Sequence, residues 1–232
     1  KNANRIDDCY AQVAAQTGKE DICPKIKDGY YKSLCYEDVA IKNKNVELCS
    51  KVTAETNQRN CYTQIAIGKK NSNICKEIKE PLFQDDCYIE YAKESGNVND
   101  CYALMSESTK QDECFVWLAE NKKSAEICEK IGTVSYKDDC YQKVGIATQG
   151  NLLCAKIEQQ SKRDACYFGV ASKMGSADVC NKIDAKTQLW ITCIKQVAIT
   201  NNDKFVCQAL SDKPEELKSC ELQIENARAQ NQ

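Results

Sequence analysis

Apolar side chains recur along this chain at helical spacing, in a pattern that repeats about every 26 residues. Each repeat contains two cysteines, which we name the A cysteine and the B cysteine, and other positions are numbered from them. Apolar residues at A, A+1 and A+4, with a small residue at A+5, form one face of a helix. The pattern predicts one long helix per repeat, whose small residue lets a neighbouring helix approach closely.

The residue after the A cysteine is aromatic in seven of nine repeats, and we interpret these side chains as core rather than as a ladder for sugar binding. A tyrosine in such a place keeps its hydroxyl near a polar partner at the edge of the core. The aromatic residues are Tyr10, Tyr36, Tyr62, Tyr88, Phe115, Tyr141 and Tyr167. The A+4 residues are Val13, Val39, Ile65, Tyr91, Leu118, Val144, Val170, Val197 and Ile224.

A second, shorter helix is predicted around each B cysteine. Good N-cap residues stand four positions before it in seven of eight repeats, the exception being Lys19. Acidic residues at B−2 in four repeats suit the positive end of the helix dipole. The predicted N-caps are Asn45, Asn71, Asn97, Ser124, Gly150, Ser176 and Asp203, and B+3 is aliphatic throughout. We expect this helix to make about two turns.

The two helices form a hairpin too small to bury its own apolar face, since isolated helices of this length are marginal in water. Stacked hairpins close a continuous core, so the sequence predicts an all-α fold, an α-solenoid of short disulfide-stapled hairpins. Pro81 and Pro214 are expected to begin long helices. We expect a single repeat-array domain, 1–232, with eight full repeats and a terminal helix: 1–26, 27–52, 53–78, 79–105, 106–131, 132–157, 158–183, 184–210 and 211–232.

The chain has 17 cysteines and no histidine. No C-x-x-C pair occurs, which argues against a metal centre, and no C-x-x-C-H occurs for haem attachment. Regular pairs 12 to 14 residues apart favour disulfides, and disulfides imply an oxidising compartment. We therefore predict an extracellular or cell-surface protein without a cofactor.

Two disulfide connectivities fit the spacing. In the first, each A cysteine bonds the B cysteine of its own repeat, which leaves Cys220 odd; in the second, each B cysteine bonds the next A cysteine, which leaves Cys9 odd. The A-to-B interval is always 14 whereas the B-to-A interval is 12 or 13, and this favours the first. Retention of Cys220 in the terminal half-repeat favours the second. The preferred pairs are Cys9–Cys23, Cys35–Cys49, Cys61–Cys75, Cys87–Cys101, Cys114–Cys128, Cys140–Cys154, Cys166–Cys180 and Cys193–Cys207, and the odd cysteine is free or bonds another chain.

Charge and catalytic motifs narrow the function classes. The net charge is −2 with both signs interspersed, so no nucleic-acid partner is indicated. The longest apolar stretch, 115–119, is far too short to span a membrane, and a first residue other than Met suggests a processed chain. There is no histidine base, nucleophile elbow or phosphate loop, so we do not expect an enzyme. The aspartates at A−2 are interpreted as a solvated first turn.

Two tryptophans break the repeat and are the candidate binding residues. Trp117 occupies A+3, where other repeats have mostly polar residues, and Trp190 occupies A−3, where Gln, Lys or Arg is the rule. A large aromatic side chain at an otherwise polar position is a candidate anchor for a partner. The alternative is a local packing adjustment.

The repeat as it stands in 163–167, Arg-Asp-Ala-Cys-Tyr, followed by Ala171 and then by 179–183, Val-Cys-Asn-Lys-Ile, resembles the cysteine-rich αα-repeats of uncharacterised exported proteins of archaea and bacteria. The resemblance covers essentially the whole chain and implies a secreted or cell-surface α-solenoid, but no activity or site. The architecture is also similar to cysteine-rich tetratricopeptide-like repeats, whose unit is longer and whose cysteines are closer together.

These observations favour a non-enzymatic binding or adhesion solenoid that engages a protein or a surface polymer. The alternative is a structural subunit of an extracellular appendage or cell envelope, stabilised by disulfides. An array that polymerises end to end should present core-like residues at its end, yet Glu221 and Glu225 replace the aromatic and the alanine in the last repeat. The last repeat therefore reads as a solvated cap. Lateral self-association, or a contact through 1–7, stays open.

Overall fold

A computed structural model describes residues 2–104 and 108–230, in which long helices alternate with short ones and no strand occurs. The long helices are α1 (Asn2–Thr17), α2 (Gly29–Asn43), α3 (Glu55–Lys69), α4 (Pro81–Ser95), α5 (Ser108–Lys122), α6 (Val134–Thr148), α7 (Gln160–Met174), α8 (Gln188–Asn201) and α9 (Pro214–Gln230). The short helices are Glu20–Lys25, Val46–Lys51, Ser72–Glu77, Val98–Ala103, Ala125–Cys128, Asn151–Cys154, Ala177–Cys180 and Lys204–Leu210. The predicted all-α repeat solenoid is confirmed, and both prolines begin helices as expected.

The turn between the two helices of a repeat has one fixed geometry. The residue after the long helix adopts the left-handed conformation in each of the first eight repeats, as in Lys44 with φ of 52° and Gly96 with φ of 64°. The next N–H donates to the A+5 carbonyl, as Asn45 does to Ala40 at 2.8 Å. These bonds close the end of the helix in a Schellman arrangement. Because the donor at A+10 is also the N-cap of the short helix, the turn alone sets the distance from A to B.

Short helices begin where the sequence predicts. Asn45, Asn71, Asn97 and Asp203 are N-caps whose side chains accept a backbone N–H two residues later. Ser124, Gly150 and Ser176 occupy the same place without a side-chain bond. Five of the short helices are 3₁₀ helices of six or seven residues, and three are single α-turns of four residues. The expected two turns therefore hold only for the 3₁₀ set.

The preferred disulfide pairing is wrong. Each B cysteine bonds the A cysteine of the following repeat, and Cys9 rather than Cys220 is free. The pairs are Cys23–Cys35, Cys49–Cys61, Cys75–Cys87, Cys101–Cys114, Cys128–Cys140, Cys154–Cys166, Cys180–Cys193 and Cys207–Cys220. None of the pairs Cys9–Cys23, Cys35–Cys49, Cys61–Cys75, Cys87–Cys101, Cys114–Cys128, Cys140–Cys154, Cys166–Cys180 and Cys193–Cys207 forms.

The physical reason for this error lies in the turn. The constant interval of 14 reflects the fixed turn within a repeat and not a covalent bridge. The linker between repeats can vary, because the Cα–Cα distance is 5.5 Å for Cys154–Cys166, with 12 residues of separation, and 5.7 Å for Cys180–Cys193, with 13. Both distances lie in the ordinary range for disulfides. An added linker residue therefore leaves the bridge geometry almost unchanged.

The core consists of the positions that the pattern predicts. The A+4 and B+3 residues are buried from the second repeat onward, and so are the A+5 residues of the first eight repeats. The aromatic A+1 residue is buried in most repeats, and the lysine at B+2 lies over it: Lys51 is 5.2 Å from the ring of Tyr36, and Lys156 is 5.2 Å from that of Tyr141. The lysine and the tyrosine of the recurring motif therefore contact each other within one repeat.

The aspartates at A−2 are buried, so their interpretation as a solvated first turn is wrong. Asp138 accepts the N–H groups of Glu158 and Gln159, both at 2.9 Å, just before the next long helix begins. Asp7 accepts from Lys27 and Asp28 in the same way. The buried members of this set are Asp7, Asp85, Asp112, Asp138 and Asp164. Where its bonds are seen, the A−2 carboxylate clamps one repeat to the next.

The chain divides into two compact halves, Lys1–Cys114 and Phe115–Gln232. Within each half, every long helix packs against the next and is bonded to the short helix between them. Eight disulfides in a chain of this size indicate an oxidising environment. In the described residues, no helix combines the length and the apolar character needed to cross a membrane.

Candidate binding surface

Large apolar side chains stand exposed at one edge of the second half, where the long helix of each repeat turns into the short one. Leu152 is 81% exposed, Met174 is 48% exposed and Phe205 is 86% exposed. They belong to the sixth, seventh and eighth repeats, which are consecutive. We name these three residues the turn-edge row.

The geometry of the short helix explains why two of these side chains cannot fold back into the core. Leu152 and Phe205 both occupy B−2, the second residue after the N-cap. The backbone N–H of Phe205 donates to the side chain of the N-cap Asp203 at 2.8 Å, and this holds the residue at the outer end of the helix. Other repeats place Asp21, Glu47, Asn73, Asn99, Glu126 and Asp178 at this position. The solenoid therefore does not require an apolar residue there.

Neighbouring turns are held together along this edge. The side-chain amide of Asn201 donates to the carbonyl of Gly175 at 2.7 Å, which joins the turns of the seventh and eighth repeats. Asn43 makes the equivalent bond to Gly18 in the first half. Both glycines have positive φ, and a Cβ on either would collide with the amide that bridges to it. Since packed helices lie about 8–10 Å apart, the row spans about 16–20 Å.

Trp190 is buried, so its prediction as an exposed binding residue is wrong. It is 6% exposed, its indole N–H donates to Asn181 at 3.2 Å, and Lys213 lies over its ring at 5.3 Å. The A−3 position is not a wet surface, because the polar residues found there are half-buried and donate to the preceding short helix. Gln58, for example, bonds the carbonyls of Cys49 and Val52. An indole fits the same place.

Trp117 is half-buried at a position that is mostly exposed in other repeats. Its carbonyl accepts the side-chain amide of Asn121 at 2.9 Å, and on the same helix Glu120 pairs with Lys143 at 3.1 Å. Part of the ring therefore stays accessible within the second half. A binding role for Trp117 stays a prediction.

A shallow depression of about 380 Å³ lies at the turn edge of the first half. It is lined by Ile67, Lys70, Tyr91, Glu94 and Ser95. Burial, together with nearby Asp100, raises the pKa of Tyr91, so its phenol stays neutral. One cation and one anion at the rim cancel, so the depression offers no charge selectivity.

Chemistry at a centre has little support in the parts of the chain that the structure describes. No group of three or more Cys, Asp or Glu side chains there could hold a metal ion. Sequence reasoning missed the turn-edge row, although an apolar residue at B−2, where other repeats carry acids or Asn, was a visible signal. No protein-family model, curated protein or solved structure matches this chain.

Proposed function

We propose that this chain is a non-enzymatic, secreted or cell-surface binding solenoid, and that its turn-edge row engages a protein. The observation that carries the proposal is the exposure of Leu152 and Phe205, both above 80%, at a position that other repeats fill with Asp, Glu or Asn. Exposed apolar side chains that the fold does not need are typical of interaction surfaces. The disulfides support an oxidising location for it.

A protein fits the row better than a sugar polymer. Leucine, methionine and phenylalanine side chains offer apolar area and no hydrogen-bond donors, whereas recognition of a polar ligand needs several precisely placed polar groups. Methionine also adapts to irregular partners. We expect the partner to present two or three apolar side chains along a segment about 16–20 Å long, matching the spacing of packed helices.

The double variant Leu152→Asp and Phe205→Asp tests the proposal. It restores the residue type found at B−2 in other repeats, and a carboxylate near the N-terminus of a helix is favourable by about 0.3–1 kcal/mol, so the fold should be retained. Burying the two side chains against a partner is worth roughly 3–6 kcal/mol in total, so their loss should weaken binding at least about 100-fold. Leu222→Asp, an exposed apolar residue of α9, is the matched control.

A displayed library of random peptides is the probe. Peptides selected by the unchanged protein should bind the double variant at least about 100-fold more weakly and the Leu222→Asp control equally well. Selected peptides that bind all three proteins alike would overturn the assignment of the row. Failure to select any peptide would count against protein binding at this edge.

The alternative, a structural subunit of an extracellular assembly, is favoured by one observation in the first half. The outward face of α1 exposes Tyr10 and Val13 at positions that are core in later repeats. Sedimentation of the protein under oxidising conditions tests this alternative, which requires assemblies larger than a dimer that survive alkylation of Cys9.

A further inference from the structure

The outward face of α1 has the residue pattern of an interior helix but lacks its covering. Val13 at A+4 is 41% exposed, whereas the A+4 residue is at most 9% exposed in each of the eight later repeats. Tyr10 at A+1 is 39% exposed, while its counterparts Tyr62, Tyr88, Phe115, Tyr141 and Tyr167 are buried. Cys9 is exposed and free, while every later A cysteine is buried and bonded. Three positions on one face thus differ together.

The later repeats show what covers this face. In each, the preceding short helix places its B cysteine in a disulfide with the A cysteine. The aliphatic residue at B+3 is buried in every case, and an apolar residue at B−1 is buried in four of them: Leu48, Ile74, Ile127 and Val179. Eight examples within one chain therefore define the chemistry of the covering segment. It is a short helix with the order apolar residue, cysteine, two further residues, aliphatic residue.

A second copy of this chain does not supply that segment. All eight B cysteines are already in disulfides, so another copy offers only its own Cys9. A link from Cys9 to Cys9 would join two long helices and would bring no B+3 residue. The covering segment must therefore come from a polypeptide segment with an unpaired B cysteine.

We propose that the face formed by Cys9, Tyr10 and Val13 is a covalent docking site for one further half-repeat, whose B-type cysteine forms a disulfide with Cys9. This inference is independent of the turn-edge row, which lies in the other half. The site extends the array by the same interface that its own repeats use. The partner is recognised by its cysteine and by the apolar residues that flank it at B−1 and B+3.

The bond forms by thiol–disulfide exchange. The Cys9 thiolate attacks the partner's cysteine sulfur while that sulfur is held in a disulfide with a small thiol. The new bond joins Cys9 to the partner, the old bond breaks, and the small thiol leaves with the electron pair. One disulfide is consumed and one is formed, so no other oxidant is needed.

The test uses the full chain and a synthetic probe taken from its own second repeat. The probe comprises residues 27–53 with Cys35→Ser, so that Cys49 is its single cysteine, and it is supplied as a mixed disulfide with glutathione. The control probe carries Leu48→Ser and Val52→Ser in addition. The equilibrium constant for exchange onto Cys9 is measured in a glutathione buffer by mass spectrometry. We expect it to be at least tenfold larger for the first probe than for the control probe.

Two protein variants sharpen the result. Val13→Asp should remove most of the preference for the first probe, and Leu222→Asp, at an exposed site on α9, should leave it unchanged. Equal constants for the two probes would show that Cys9 is only an accessible thiol and would overturn the proposal. A Cys9–Cys9 dimer that forms in preference to the probe adduct would overturn it as well, because a second copy would then be the occupant. If Val13→Asp does not fold, the comparison of the two probes still decides.

Discussion

Removal of the Asp138 carboxylate should separate the sixth and seventh repeats energetically. Asp138 is 1% exposed, and its two oxygens accept the N–H groups of Glu158 and Gln159 at 2.9 Å each. The N-cap residue of α7, Gln159, has no side-chain cap of its own. The carboxylate of the preceding repeat therefore also supplies the negative charge that favours the start of this helix.

The magnitude follows from the two bonds. A hydrogen bond to a charged group contributes about 1.5–3 kcal/mol, and a donor left unsatisfied in a buried place costs about 1–3 kcal/mol. Water reaches part of the linker in the Asp138→Ala variant, so we expect a total loss of about 3 kcal/mol in the free energy of unfolding. Asp138→Asn keeps one acceptor oxygen and loses the charge, so about half of that loss is expected.

The assay is urea unfolding with the disulfides intact, together with hydrogen exchange at the amides of Glu158 and Gln159. The matched control is Asp139→Ala, which removes a half-buried carboxylate that pairs with Lys162 at 2.5 Å. An ion pair of this kind contributes at most about 1 kcal/mol. If Asp138→Ala and Asp139→Ala lose the same stability, or if the two amides stay protected in Asp138→Ala, the clamp between repeats is refuted.

Other predictions follow from individual side chains. Trp190→Ala should cost about 3–5 kcal/mol in thermal or urea unfolding, as expected for a core residue, whereas Trp117→Ala should cost about 1 kcal/mol or less; equal losses would contradict the difference in burial. Gly145→Ala should stabilise by up to about 1 kcal/mol, because a helix interior favours Ala and the other A+5 positions accept it; a loss in urea unfolding would contradict this. Burial and a hydrogen bond with Glu129 raise the pKa of Tyr141. Folding therefore favours its neutral phenol; this contribution is complete below about pH 10 and is lost as the pH rises toward the raised pKa. Tyr141→Phe should lose less unfolding free energy above about pH 10 than the unchanged chain, and an identical pH dependence would contradict the shift.

Local features of this fold could be predicted from the sequence because they depend on residues close together in the chain. The N-caps Asn45 and Asn71 bond an N–H two residues away, and the helical spacing of apolar residues shows directly which face is buried. Pro81 and Pro214 begin helices for the same local reason.

Features that depend on the next repeat could not be predicted in this way. Asp138 bonds backbone groups 20 and 21 residues later, and nothing in its own helix reveals them. Trp190 is covered by the preceding short helix, so a position that is polar in other repeats was mistaken for an exposed one. The interval of 14 residues was attributed to a bridge, although the turn after each long helix produces it. Leu152 and Phe205 were visible as exceptions at B−2, but only the structure shows that both side chains point outward.

The central claim is that every disulfide joins one repeat to the next and leaves Cys9 free. The most direct test is disulfide mapping: the unreduced protein is alkylated in denaturant at acidic pH, digested, and analysed by mass spectrometry for linked peptides. The account predicts eight linked pairs from Cys23–Cys35 through Cys207–Cys220, with the alkyl label on Cys9 alone. A peptide that links Cys9 to Cys23, together with an alkylated Cys220, would contradict it.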